Sequence, residues 1–444
     1  MLGALNVSLA MVSLAFVQCF GTISLVDIGL DENQTSWFVS IDMMLAFMVA
    51  PMGGKLAELI GIKRTFLVCS PILILGFICI GTNLSTFVLF LGRILNGIGV
   101  SCLMVQPSVY IAETVHPDGR TTMASLIGFS ASFGICVLTI LGYFFHWETV
   151  AFLSTIPSII AFTGFIFLPE SPYWLIHQQQ KFEKAFTALK YYRKNREEDE
   201  VIEEFKEILE HYQQRTEKSK ENFINRLCSP SFRKPFMCIG ILYPLYESTS
   251  SVVSLNYLQS LMIESNIQLD TNSCSLILGL ARIVSAILTL AKMQRLPPRS
   301  TFVVLATIKT ICLAIIGGFY YFQGRYPGNE NGTWIPLVMF IVAFFCRAFI
   351  VTLLWTLVGE MFPSELRNLA SGIIDCLVYI VIFLFLNLYS SMKHSLGLHG
   401  VFFLYAGCGA LVTIYGALTI PDNRSKSLVE IENNNCKRPL IPKK

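Results

Sequence analysis

Charge is what this chain has least of. Asp, Glu, Lys and Arg make up 14% of its 444 residues against 53% apolar ones, and the mean hydropathy is +0.58. A soluble chain of this length needs far more charge to cover its surface. Paired cysteine motifs are missing too. The 13 cysteines include no CxxC, and most lie inside apolar runs, where a free thiol behaves as a small hydrophobe. Neither a metal site nor a disulfide framework is indicated. There is no nucleophile–base set and no phosphate loop, so no enzyme is expected and no cofactor is implied. His116 and His146 read as loop and membrane-edge residues. No basic aromatic patch suggests nucleic acid, and a net charge of +3 says little about partners.

What the chain has is long apolar runs. They recur at about 20 residues each, enough to cross a hydrocarbon core of roughly 30 Å. Twelve spans are expected, over 4–25, 36–54, 64–83, 87–112, 121–144, 149–168, 234–262, 270–291, 300–322, 333–358, 368–391 and 398–420. Open strands could not satisfy their backbone groups in lipid, so the expected fold class is an all-α membrane protein. The first span lacks the basic flank and the small-residue cleavage site of a signal peptide and is expected to be retained.

Basic residues set the expected orientation. Lys55, Lys63, Arg64, Arg120, the 169–233 loop, Lys292, Arg295, Arg299, Arg367 and the tail fall on one side; between spans on the other stand Arg325 and Lys393. The positive-inside rule then puts both termini in the cytoplasm. Three sequons, at Asn33, Asn83 and Asn331, fall outside. Asn83 is close to a span, so Asn33 and Asn331 are the glycosylation candidates. Within the 169–233 loop, apolar residues such as Phe182, Ala185, Phe186 and Leu189, then Val201, Phe205, Ile208 and Leu209, recur at helical spacing. Short amphipathic helices under the bundle are expected, with a solvated linker as the other reading. The tail from 421 to 444 is polar and expected to be disordered.

Two stretches echo each other. YIAETVHPDGR (Tyr110–Arg120) and VGEMFPSELR (Val358–Arg367) each close an apolar run with a glutamate, then a proline, then an arginine: Glu113/Arg120 and Glu360/Arg367. A second echo links GGKLAELIGIKR (Gly53–Arg64) to LAKMQRLPPR (Leu290–Arg299) at a similar offset. The chain reads as one half repeated, an N-terminal bundle over 1–168 and a C-terminal bundle over 234–420, as in transporters built from two related units. A glutamate at a helix C-terminus is unfavourable unless a cation is near, and arginine supplies one in a bidentate fork. Such pairs between the halves would close one side, with Glu58, Lys63 and Arg64 helping; the plain alternative is that they are positive-inside anchors.

These motifs resemble the sugar porter family of the major facilitator superfamily, and within it the insect facilitated trehalose transporters. GGKLAELIGIKR is similar to the family's loop between spans two and three, GRILNGIGV (Gly92–Val100) to its fourth-span motif, and PESPYWL (Pro169–Leu175) to the motif after span six. GEMFPSELR and PDNRSKSLVEI (Pro421–Ile431) are similar to those after spans ten and twelve, and ENQTSW (Glu32–Trp37) has the look of the trehalose transporters. The resemblance covers essentially the whole chain. It implies two six-helix bundles, a central sugar site and alternating access, with a sugar and the bilayer as partners and a monomer as the working unit.

The sugar site departs from the family. Leu245–Thr249 replaces the paired glutamines of span seven, and Phe349–Leu354 lacks the usual glycine and proline before Trp355. Val378-Tyr379 stands where Asn-Trp is usual, Gln294 and Pro297 alter the loop after span eight, and Leu59 replaces a basic residue. The position that carries a carboxylate in the family's proton symporters aligns with Ile23, which favours facilitated diffusion, although Glu247 or Asp42 could carry a proton instead. Charges appear inside the spans: Asp42, Glu247, Arg282, Arg347 and Asp375. Each costs a few kcal/mol at membrane depth, about 2.5–3.5 on insertion scales, so they should face the interior and pair, Glu247 with Arg282 or Arg347. They fit a polar or charged substrate, or an internal structural pair; their near-zero sum favours the pair. Arg93 is expected to cap and orient helices.

A sugar needs donors and acceptors beside an aromatic platform. Trp355 and Tyr379 are platform candidates; Tyr246, Ser250, Asn256 and Gln259 on span seven, with Thr22 and Ser132 in the first half, are polar candidates. Facilitated transport of trehalose or a hexose across the plasma membrane is the leading expectation. A transporter of another polar solute, or a sensor that kept the fold and lost the site, remain open.

Overall fold

The computed structural model describes residues 2–104, 106–115, 117–177, 181–194, 197–218, 230–249, 251–292, 296–325, 332–362 and 367–420. Among them the chain is helical throughout, with short turns between helices. Eight helices are long and apolar enough to cross a membrane, and a ninth is added if the bent Glu32–Ala50 and Met52–Ile60 pair counts as one span. That pair turns by 52° at Pro51, whose missing N–H removes a rung of the helical ladder.

Several expected spans are broken, and each break has a local cause. The first ends as a helix at Cys19 and resumes as the short turn Gly21–Ser24. The expected 87–112 span is Thr86–Leu103 followed by Gln106–Thr114. The expected 234–262 span opens as a π-helix, Phe236–Gly240, continues as Ile241–Glu247 around Pro244, and restarts as Ser251–Asn256 and Leu258–Glu264. At that break the Thr249 N–H turns to the Tyr246 carbonyl, and the Ser248 hydroxyl donates to the Leu245 carbonyl that is thereby released; the Thr249 hydroxyl adds a second bond to Tyr246. Local π turns of this kind recur at functional positions. The last two expected spans are divided at Gly397, whose φ of 68° and ψ of 168° break Arg367–Thr419 into two helices.

The core is one apolar cluster running through both halves of the chain, from Phe16, Phe20 and Phe77 to Phe302, Phe340 and Tyr405. A separate small core, built on Trp174, Ile176, Ala185, Leu189, Val201 and Ile208, joins Phe182–Tyr192 to the longer Glu198–Lys218 helix. This linker unit is tied to the first half. Arg193 forks onto Glu204 at 2.8 and 2.7 Å and donates to the Thr114 carbonyl at 2.8 Å, satisfying an orphan acceptor where Gln106–Thr114 ends. Tyr192 adds a bond to the Pro169 carbonyl at 2.8 Å.

Gly61 joins Glu32–Ile60 to Ile62–Thr82 at φ 98°, a conformation that L side chains rarely take, and the Glu170 carboxylate lies where a Cβ would go. Gly61→Ala should therefore lower unfolding stability by about 1–3 kcal/mol, read as a lower melting temperature of the purified protein. An unchanged melting point would show that the turn relaxes.

Candidate functional site

The face carrying Lys55, Lys63 and Arg64 holds a hydrogen-bonded network built from the echoed motifs. Glu113 accepts from the Ser171 hydroxyl, and Ser171 Oγ in turn accepts from the Trp174 backbone N–H at 3.3 Å. Trp174 Nε1 donates to the Glu58 carbonyl at 2.7 Å. Glu170 Oε1 accepts from the Lys63 and Ser171 N–H groups at 3.0 and 3.1 Å, an anion placed at the N-terminus of Ile62–Thr82. Burial raises the Glu170 carboxyl above the ordinary glutamate range, opposed by those two N–H groups and the Arg64 charge. Lys63 Nζ reaches the Ile166 carbonyl at 3.0 Å, while the Glu58 and Arg64 side chains are exposed. These links all join elements of the first half and the linker. The side chains of Arg120, Glu360 and Arg367 lie outside the described residues, as do Ser250 and Asn331.

At mid-depth, polar groups meet across the two halves. Gln18 Nε2 donates to the Tyr379 hydroxyl at 3.4 Å, and Asn256 Nδ2 donates to the Gln18 carbonyl at 3.3 Å. Trp355 is half-buried and donates to the Tyr243 hydroxyl at 2.6 Å. Thr22 and Ser132 are buried, and Thr22 Oγ1 has no hydrogen-bond partner among the described residues. Gln259 donates to Asn272 at 2.7 Å. Of the platform and polar candidates, Tyr379 and Asn256 thus meet at Gln18, Trp355 bonds to Tyr243, and Gln259 is set apart toward Asn272.

The intramembrane charges sort into pairs and remainders. Arg93, fully buried, donates to the Phe38 and Val17 carbonyls at 2.7 and 3.0 Å and stands 3.6 Å from Asp42, so it ties together three segments of the first half. Arg347 Nη1 donates to both Glu247 oxygens, at 3.1 and 2.9 Å. Arg282 lies over Phe344 at 6.0 Å. Asp375 is half-buried.

Sequence reasoning missed three of these residues. Lys309 is buried in Pro298–Arg325, with its ammonium 4.2 Å from the Tyr246 ring centroid and a bond to Thr249. Its signal was available, a lone lysine within TFVVLATIKTICLAII. Gln18, a lone polar residue of the first apolar run, had the same kind of signal. Arg193 had none, since a basic residue in a charged linker looks like any other.

Toward the opposite face the halves meet again. Glu32 accepts from Ser390 at 3.1 Å and lies 2.7 Å from His394 Nε2, contacts that hold its carboxyl below the usual range, the His394 bond most of all. The sign follows: this contact persists above that lowered value and weakens as pH falls through it. Asn387 donates to Ser40 at 3.3 Å, and Lys393 pairs with Glu264 at 2.5 Å within the second half. Asn33, in the first turn of Glu32–Ile60, is exposed.

Removing either member of Glu247–Arg347 leaves a buried charge uncompensated, so Glu247→Gln or Arg347→Gln should cost about 3–5 kcal/mol of stability. Glu247→Leu with Arg347→Met should cost less than the sum of the single changes in a denaturation double-mutant cycle. Strictly additive losses would show that the two do not act as a pair.

The "Sugar (and other) transporter" family model matches residues 3–434. A facilitated trehalose transporter Tret1-2 homolog of Drosophila simulans is 25% identical over 99% of this chain and 91% of its own length. The facilitated trehalose transporter Tret1 of Culex quinquefasciatus is 24% identical over 98% and 86%. Among solved structures, the xylose transporter XylE from E. coli in an inward open conformation superposes with a TM-score of 0.77, at 16% identity and over 97% of this chain and 98% of that one. The fold is that of the major facilitator superfamily, its class is transporter and not enzyme, and the chain belongs to the sugar (and other) transporter family.

Proposed function

We propose that the protein carries a sugar, trehalose or a hexose, down its gradient by rocking its two halves about a site between them. The observation that carries this reading is the polar seam between the halves: Gln18 donates to Tyr379 and its carbonyl accepts from Asn256, while Trp355 donates to Tyr243. Hydroxyl-bearing ligands need such donors and acceptors next to an aromatic face. We place twelve spans in the bilayer with the basic face and both termini in the cytoplasm, as the positive-inside rule implies. The opposite face, with glycosylation at Asn33, is then outside the plasma membrane, and the unit acts as a monomer. Ile23 at the position that holds a carboxylate in proton-coupled relatives favours facilitated diffusion.

The interhalf contacts at Glu32, Ser390 and His394 belong to the outer side in this reading. Glu113/Arg120 and Glu360/Arg367 act on the inner side and hold the outward-open state. The Arg282 charge favours a second reading, transport of another polar solute.

Oocytes expressing the protein should take up labelled trehalose or glucose saturably and equally at neutral and acidic external pH. No uptake at confirmed surface expression would overturn the sugar reading, and uptake rising with acidity would replace diffusion by proton coupling. Glu113→Gln and Arg120→Leu should each cut uptake several-fold at normal surface level; normal transport in both would remove the gate.

A further inference from the structure

The charges within the spans of the second half do not balance: Arg282, Lys309 and Arg347 stand against Glu247 and Asp375. Glu247 is already engaged, with both oxygens accepting from Arg347. Lys309 directs its charge at the Tyr246 ring and the Thr249 hydroxyl. Arg282 has no such arrangement. It is 9% exposed, its Nε has no hydrogen-bond partner, and among the described residues no carboxylate is within ion-pair distance of it. The Phe344 ring at 6.0 Å is at the outer limit of a cation–π contact and does little to neutralise it.

Its surroundings place it at the seam between the halves. Gly279, one turn before it on Thr271–Lys292, packs against Thr139 and Cys136 of the first half. The helix bearing Arg282 therefore lies against the first half, at the interface between the halves. A guanidinium at membrane depth needs a countercharge, and among the described residues neither Glu247 nor Asp375 forms an ion pair with Arg282. Its planar fork of donors matches an oxyanion, above all a carboxylate.

We propose that the carried solute is an acidic sugar, and that Arg282 receives its oxyanion at the seam, Arg347 being already neutralised by Glu247. The proposal rests on the sugar-transport reading and names the substrate class within it. The hydroxyls of such a solute would lie toward Gln18, Tyr379 and Trp355, and its carboxylate toward Arg282. Neutral sugars would leave the guanidinium uncompensated and bind less well.

The test is binding and uptake with the full chain. Melting of the purified protein is followed with glucuronate, glucose 6-phosphate, glucose, trehalose and lactate, and uptake of labelled glucuronate and glucose is measured in oocytes. Glucuronate is expected to stabilise the protein and to be taken up in preference to glucose. Arg282→Gln should reduce the glucuronate-to-glucose uptake ratio by about ten- to a hundred-fold, the loss expected for a hydrogen bond to a charged group. Arg282→Lys should restore part of it, which separates loss of recognition from loss of folding. Glucose 6-phosphate in place of glucuronate would keep the oxyanion and change its source to phosphate. Lactate alone would keep the anion site and sink the sugar reading. Uptake of neutral sugars with no response to glucuronate, and a ratio unmoved in Arg282→Gln, would overturn the proposal while leaving sugar transport standing. No response to any anion, in melting or uptake, would also overturn it.

Discussion

Charge in hydrocarbon must be answered within the protein, and most of this structure follows from how that is done. Asp42 is answered by Arg93, whose two carbonyl bonds also bind the first helix to the Glu32–Ile60 helix. Glu247 is answered by Arg347 across two helices of the second half. Pairs of this kind add little net stability, because desolvation offsets much of the attraction, but breaking one is expensive. They act as register marks: each helix bearing a charge can be placed in one way only.

The same logic explains where the chain departs from regular helices. The breaks after Cys19 and around Glu247 fall where polar side chains concentrate, at Gln18, Thr22, Ser248 and Thr249. Backbone groups released there find partners in hydroxyls, as at Ser248 and Thr249, and in Asn256 bonding to the Gln18 carbonyl. Irregular backbone at membrane depth is tolerated where it is enclosed by protein. A proposed binding seam and the broken helices therefore coincide for one physical reason. On the basic face, by contrast, the Glu113–Ser171–Trp174–Glu58 chain and the Arg193 clamp make the linker one body with the first half. A rocking motion would carry the linker along with that half.

The helical class was legible in the apolar runs, because lipid leaves a long unpaired segment no other way to satisfy its backbone. The expected spans were drawn too smooth in places, since hydropathy averages over the turn at Phe20 and the break at Ser248. The motifs near the basic face were legible as motifs, yet their hydrogen bonds were not. Glu170 accepting from Lys63 depends on Gly61 taking a positive φ, which a loop sequence only hints at. Lys309 and Gln18 were visible as lone polar residues in apolar runs and were passed over.

By itself the sequence determined that this is a helical membrane protein of repeated halves, with charges buried in its spans, because length, hydropathy and motif spacing are properties of the chain alone. Tertiary structure decided which charge met which. Glu247 had Arg282 and Arg347 as candidates, and only packing put Arg347 within 3 Å and left Arg282 without an ion pair among the described residues. Pairing depends on the rotation of each helix about its axis. That rotation is set by contacts among helices far apart in the chain, and no local pattern records it.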